Sequence, residues 1–493
     1  MIVPEYWQPD PGIEMRYARA LLVGLQYPMG YNRLPNQPPT GLGYVAESLE
    51  GAVDYDVLDM ALGYTGDDLL RRIERFRPDI VGVSMMTFGY RRAYDLFARI
   101  RREHPSLPIA VGGAHMSTFR RQAMADCPAI DYGVVLEGET SFRDLCLGAD
   151  LDAVSGLLFR RAGGIVEVPP AGDQRLDEVP FPRYGRFELS RYVVKRMNIV
   201  TSRGCPHRCT FCAVEAAIGK RFRPRSPEAI VAEIGYWHDR GYRDFGIADD
   251  NFSLLPERVD ALCALLEQRR FDITLECSNG LRADSVDERL LRRMRGVGFD
   301  TVAFGVEAGN DRVLRVLRKG ESIAEIEDAI RISCALGFNV ILFFLVGSPT
   351  ETRADVEDSI ALARRYPVAD ARFYNIIPFP NTELFEWVRA RGWFLRDPED
   401  YLNDASLFEN SPCFETPELN EAARRELLAR TANVTKEIRH AALTRRLERF
   451  GPAGRLAASV FLSEWFRSLY LGNRHIRAAG ERLKSLAGLR VRR

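Results

Sequence analysis

Three cysteines, Cys205, Cys209 and Cys212, stand within eight residues of the stretch TSRGCPHRCTFCAVE. A C-x3-C-x2-C run on a turn can bring three thiolates to one point, and thiolates ligate both zinc and iron–sulfur clusters. Structural zinc usually takes four protein ligands in two separated pairs, and no second cysteine pair is present. A [4Fe–4S] cube with three cysteine ligands leaves one iron open to bind and activate a small molecule. Two other readings fit the same spacing: a three-cysteine zinc site completed by a remote residue, or three incidental thiols. The other cysteines (Cys127, Cys146, Cys263, Cys277, Cys334 and Cys413) are isolated and read as small buried apolar residues.

The elements that must position these thiols follow from the apolar pattern. From Ala20 to about Phe142, the runs ALLVGL, YDVLDM, DIVGVSMM, IAVGGA and YGVVLEG alternate with helical stretches such as DDLLRRIERF and AYDLFARIRREHP. Nearly continuous apolar strands between amphipathic helices predict an α/β, doubly wound parallel sheet of Rossmann-like type. Ligands of such sheets bind beyond the carboxyl ends of the strands. There Ser84, Thr87 and His115 supply polar side chains, while Gly112 and Gly113 allow close backbone approach. A second alternation begins at Met197, with MNIVTS, DFGIADD, ITLECSNG, TVAFGVE, VILFFLVG and ARFYNIIPF as strands. Six strands separated by helices predict a partial (β/α)6 barrel whose site residues sit at strand C-terminal ends, with the cysteines just after the first strand. The expected domains are 15–150, a linker at 151–195 dense in proline and glycine, the barrel at 196–395, and a helical region at 396–493.

Composition narrows the function classes. The 493 residues are 46% hydrophobic and 28% charged, as in ordinary globular protein. Lys plus Arg equals Asp plus Glu at 68 each, so no global basic field points to nucleic acid. Nine cysteines, six of them isolated, do not form a secreted disulfide framework, and the N-terminus has no signal-peptide pattern. A reducing, cytoplasmic location is expected.

Residues 197–390 resemble a radical S-adenosylmethionine (SAM) core, with Cys205, Cys209 and Cys212 as its C-x3-C-x-φ-C motif and Phe211 at the aromatic position whose main chain contacts adenine. The resemblance implies that the open iron of a [4Fe–4S] cluster chelates the amine and carboxylate of SAM, and that one-electron reduction releases a 5′-deoxyadenosyl radical. It places Asp249 and Asp250 of IADDNF at the cofactor's ammonium, Arg282 of CSNGLRAD at its carboxylate, and Glu307 of FGVEAGNDRVLRVLRKG at its ribose hydroxyls. LFFLVGSPTET, with Gly347, resembles the family's G-x-P-x-E-T turn, and NIIPFPNTEL its P-x-P-G-T-x-L segment. Two residues depart from the pattern: Asn381 replaces glycine in the last segment, and Ala308 replaces serine after Glu307.

The preceding domain resembles the cobalamin-binding domain of the cobalamin-dependent subgroup, extending the likeness to about residues 15–390. VSMMTFGYRRA, VGGAHMS and VVLEGETSF, the last with Glu137 and Gly138, resemble its ligand-facing segments. The D-x-H-x-x-G motif that places a histidine below cobalt is absent: GLQYPMGYNRLPNQPPTG contains no histidine. The subgroup implies a methyltransferase that carries methyl from methylcobalamin to an unactivated carbon of a small-molecule, natural-product or lipid-type substrate. Such a C–H bond is not acidic enough for a side-chain base, hence the radical. The alternatives are ring closure, oxidation or rearrangement on the same scaffold, methylthiolation, and an iron–sulfur protein without turnover. The chemistry implies a flavodoxin or ferredoxin-type electron donor.

On the substrate side, Phe343, Tyr374, Phe379 and Trp393 are candidate pocket residues. The tail from Arg445 to Arg493 holds twelve Arg or Lys against three Asp or Glu, interleaved with VFLSEWFRSLYL. Basic amphipathic helices with aromatic residues can lie on an anionic membrane surface, and a solvated helix packed on the core is the other reading.

Overall fold

The structure is a computed structural model, which describes residues 15–26, 37–171, 175–404, 411–463 and 465–466. The chain divides into two compact units, one of residues 1–242 with 377–408, the other of residues 243–376 with 409–493.

The first unit is built on a seven-stranded sheet. Its strands are β1 (Arg19–Gly24), β2 (Asp54–Asp59), β3 (Ile80–Ser84), β4 (Ile109–Gly112), β5 (Tyr132–Val134), β6 (Leu157–Arg161) and β7 (Gly164–Glu167). The order is β2-β1-β3-β4-β5-β6-β7. The first five are parallel and the last two antiparallel. Leu21, Val23, Val81, Val83, Ile109 and Val111 are buried and form one core with Leu69, Leu70 and Ile73 of the helix Gly66–Phe76. That helix starts where Thr65 and Asp68 form a reciprocal capping box and stops where Arg77 turns left-handed. The doubly wound expectation is met by β1 to β5.

The segment 151–195 differs from the expected linker, because Leu157–Arg161 and Gly164–Glu167 add a hairpin to the sheet edge. Gly163 and Gly164, read as linker residues, make its turn at φ +100° and +145°. The first unit also contains β8 (Arg196–Ile199) and an antiparallel pair, β9 (Ser202–Arg203) with β10 (Arg223–Pro224).

The second unit holds β11 (Asp244–Ile247), β12 (Thr274–Leu281), β13 (Phe299–Glu307), β14 (Asn339–Val346) and β15 (Asp370–Asn375). Each pairs in parallel with the next. Helices Pro256–Arg269, Glu288–Gly296, Ile323–Ala335 and Arg353–Arg365 lie in the crossovers, as parallel pairing requires. A 27-residue helix, Glu421–Leu447, packs on β15: Thr435 Oγ1 donates to Ala371 O at 2.7 Å, and Arg439 forms an ion pair with Asp370. No helix among the described residues is long and apolar enough to cross a membrane.

Candidate functional site

In the first unit, all three cysteines of the cluster lie between β9 and β10. A turn closed by Cys212 N donating to Cys209 O (3.1 Å) separates the last two, and Cys205 N donates to Gly219 O (3.4 Å). Gly204 stands at φ +82°, and a Cβ there would meet Arg221 O at 2.3 Å, so the loop's neck admits only glycine. From the segment 377–408, Leu384 N donates to Thr210 O, and Asn381 Nδ2 donates to Thr118 O. Asn381 has φ +64°, a left-handed conformation that asparagine tolerates better than other side-chain-bearing residues, which accounts for its standing in a glycine position.

Cys205, Cys209 and Cys212 are half-buried and not disulfide-bonded, and Phe211 between them is half-buried too. The isolated Cys127, Cys146, Cys263, Cys277 and Cys413 are buried, and burial pushes the Cys146 and Cys263 thiols up to about 12. Partly accessible thiols on one short loop are a donor set that fits a soft, thiolate-ligated iron cluster. Among the described residues, no three His, Cys, Asp or Glu side chains already stand in a metal-holding arrangement.

At the carboxyl ends of the first sheet, Ser84 ends β3, Thr87 follows it buried, and Gly112 ends β4. A Cβ built on Gly112 would make only ordinary contact, 3.6 Å from Val134 O, so the protein's own packing does not require glycine there. At Gly113 it does: this residue stands at φ +95°, and a Cβ would meet Met85 O at 2.7 Å. His115, expected to face a ligand, is buried in an aromatic cage. Its ring stacks on Tyr90 at 5.0 Å, lies 4.7 Å from Phe119, and Nε2 is 2.7 Å from the Tyr94 hydroxyl. Burial pushes its pKa down to about 4, so it is neutral at physiological pH. Glu137 precedes the helix Gly138–Cys146, and its carboxylate is committed to ion pairs with Arg203 and Arg223.

In the second unit, Asp249 is buried after β11, with Oδ2 3.8 Å from Arg258, while Asp250 is exposed. Glu307 ends β13 at φ +65°, an uncommon conformation for a residue with a side chain. Its Oε1 lies 3.1 Å from Lys319 Nζ, which also reaches Glu321 at 3.3 Å. A Cβ on Gly305 would meet Glu307 Oε1 at 2.6 Å and Lys319 Nζ at 2.9 Å, so this glycine makes room for the pair. Arg282 donates to Asp284 and to the carbonyls of Lys319 and Gly320, which ties the end of β12 to the segment that follows the helix Asp311–Val316.

Gly347, at φ +93°, donates its N–H to Glu351 Oε2 (2.5 Å), as does Ser348 (3.0 Å). A Cβ on Gly347 would meet the guanidinium of Arg424 at 2.2 Å. Arg424, wholly buried, comes from the long C-terminal helix and donates to Asn375 Oδ1 (3.0 Å), Val346 O (3.4 Å) and Phe414 O. It thereby joins the ends of β14 and β15. Desolvation dominates both charges: it pushes the Glu351 carboxyl up to about 7 and the Arg424 guanidinium down to about 10. Of the candidate pocket aromatics, Phe343 meets Tyr374 at 6.0 Å in this unit, whereas Phe379 meets Phe88 and Trp393 meets Trp387 in the first.

The Radical SAM superfamily model matches residues 199–363, and the B12 binding domain model matches residues 31–146. An uncharacterized methyltransferase, PH0819 of Pyrococcus horikoshii, is 30% identical over 368 residues, covering 73% of this chain and 80% of the relative. The chain belongs to the cobalamin-dependent radical SAM enzymes. Their cofactors are SAM, a [4Fe–4S] cluster and cobalamin. Anaerobic magnesium-protoporphyrin IX monomethyl ester cyclase of Rubrivivax gelatinosus is 27% identical over 371 residues, covering 71% of this chain and 66% of that one. The fold is similar to that of the radical SAM methyltransferase TsrM of Kitasatospora setae, with a TM-score of 0.63, 22% identity and 76% of each chain covered.

Arg203, Arg223, Lys319, Glu321, Glu351 and Arg424 were not candidates from sequence. The arginines of RGC and RFRPR stand on either side of the three cysteines, and this basic bracket is the signal in the sequence. The pairing of Gly347 with Arg424 spans 77 positions and left none.

Proposed function

We propose that this radical SAM enzyme is a methyltransferase that moves methyl from methylcobalamin to an unactivated carbon of a small-molecule or lipid-type substrate. The observation that carries this reading is that the three-thiol loop lies in the same compact unit as the B12-binding domain. The identity to a relative named as a methyltransferase supports it. The relative that closes a ring on a porphyrin ester keeps a second reading in view, in which a substrate radical forms without methyl transfer.

When bound, the cluster and SAM supply a radical able to take hydrogen from carbon, and cobalamin supplies the methyl group. The chain's part is to hold and orient them. Cys205, Cys209 and Cys212 would hold three irons, with Phe211 and the neighbouring main chain beside the adenine. Asp249 and Asp250 would meet the ammonium of SAM. Glu307 would accept its ribose hydroxyls, with Lys319 fixing the carboxylate's rotamer. Ser84, Thr87 and Gly112 would meet the corrin. Arg282 and Gly347 would act through packing, one on the Lys319 turn and the other on Arg424.

A cytoplasmic enzyme reduced by a flavodoxin or ferredoxin-type donor fits this chemistry. A peripheral membrane contact is supported by exposed Leu456, Val460, Phe461 and Trp465. Residues 467–493, which contain most of the basic tail, lie outside the described residues.

The test is anaerobic reconstitution followed by incubation with hydroxocobalamin and desalting. About four irons and one corrin per chain are expected. Four irons without corrin would move the assignment to radical chemistry without methyl transfer.

A further inference from the structure

Arg203 and Arg223 face each other as register partners on the antiparallel pair β9/β10. Like charges directly opposite on such a pair repel, so this two-residue ladder at the neck of the cysteine loop is unfavourable on its own terms. Glu137 relieves the repulsion. Its Oε1 accepts from Arg203 Nη1 at 2.9 Å and its Oε2 from Arg223 Nη1. Glu139 adds a second acceptor, 2.6 Å from Arg203 Nη2. The four side chains retain between 5% and 15% exposure, so the pairs are little screened by solvent. Both carboxylates belong to the segment that follows β5, one immediately before the helix Gly138–Cys146 and the other in its first turn. That segment is one of the three expected to face the corrin.

We infer that Glu137 and Glu139, acting on Arg203 and Arg223, form a clamp through which the corrin site and the cluster loop sense each other's occupancy. These are positioning residues: their carboxylates are taken up by the two guanidiniums, and they close the neck of the loop only when the Gly138–Cys146 helix start is in place. A ligand that fixes that helix start favours the closed neck, and a cluster that fixes the loop favours the helix position that binds corrin. The two effects must be equal by linkage. The inference rests on both cofactors binding, as proposed above.

The test is a coupling measurement. The Kd for hydroxocobalamin is titrated spectrophotometrically on cluster-loaded protein and on the cluster-free Cys205→Ala/Cys209→Ala/Cys212→Ala variant. Both titrations are repeated in a Glu137→Gln/Glu139→Gln background. Cluster loading is expected to tighten hydroxocobalamin binding by at least about fivefold in the native background and by less than about twofold in the glutamine background. An equal ratio in both backgrounds, or a ratio of one in the native protein, overturns the clamp. Should the glutamine variant not fold, amide exchange in the unaltered enzyme decides: hydroxocobalamin must slow exchange across residues 202–224, and unchanged exchange overturns the clamp. A native protein that binds no hydroxocobalamin at all overturns the proposed function instead.

Discussion

Two carboxylates near strand ends, Glu137 in the first unit and Glu351 in the second, are stabilised in different ways. Glu137 is met by two guanidiniums, and with Glu139 the group balances two negative charges against two positive ones. Glu351 is fully buried and leans on two backbone N–H groups, with Arg424 nearby; its second oxygen has no hydrogen-bond partner. Desolvation wins there and lifts its pKa to about 7. The first arrangement suits a loop that must answer to an incoming charged cluster, because each ion pair can be traded against another. The second suits a fixed frame, because a carboxyl that can become neutral and a buried guanidinium lose much if either is disturbed.

The comparison is sharpest at the cysteines. Replacing Cys205, Cys209 or Cys212 with alanine should abolish four-iron incorporation, measured as iron and sulfide per chain. Replacing the buried Cys263 should leave it intact. Next in size is Arg424→Leu, which strands Asn375 Oδ1 and the carbonyls of Val346 and Phe414 and removes the positive charge nearest the buried Glu351. A loss of about 3–5 kcal/mol in denaturant unfolding of the second unit is expected, whereas Arg223→Leu, whose partner Glu137 keeps Arg203, should cost less than half of that. Gly347→Ala strains a left-handed backbone and collides with Arg424, for a loss above about 2 kcal/mol.

Glu351 also predicts a pH dependence. Its folded pKa, about 7, lies above the unfolded value of 4.5, so between those values the folded state holds a proton that the unfolded state has released. This contribution is therefore full below about pH 4.5 and is lost as pH rises through 7, on the order of 3 kcal/mol in all. Thermal melts from pH 5 to 8 should show that decline, and Glu351→Gln should flatten it. The smallest effect expected is Asn381→Gly, within about 1 kcal/mol, because asparagine already accepts the left-handed turn.

Much of this was legible in the sequence, for local reasons. Runs such as DIVGVSMM and VILFFLVG are nearly continuously apolar and read as interior parallel strands, and three cysteines within eight residues singled out the loop whose role is proposed above. The hairpin Leu157–Glu167 was missed because its glycines signal a turn and a linker equally. His115 looked ligand-facing from its place after a glycine pair, but Tyr90, Tyr94 and Phe119 enclose it, and nothing in the local pattern records that cage. The clamp on Glu137 and the seat of Arg424 behind Gly347 join positions 66 to 86 and 77 residues apart. Long-range ion pairs leave no periodicity, so only the folded chain reveals them.

The most direct measurement of the central claim is the electron paramagnetic resonance spectrum of the anaerobically reduced protein with and without SAM. A [4Fe–4S]+ signal that changes its g values on adding SAM, and disappears in the Cys205→Ala/Cys209→Ala/Cys212→Ala variant, is the predicted result. A signal indifferent to SAM, or one that survives loss of the three cysteines, would contradict the claim that this loop holds a cluster with an open iron.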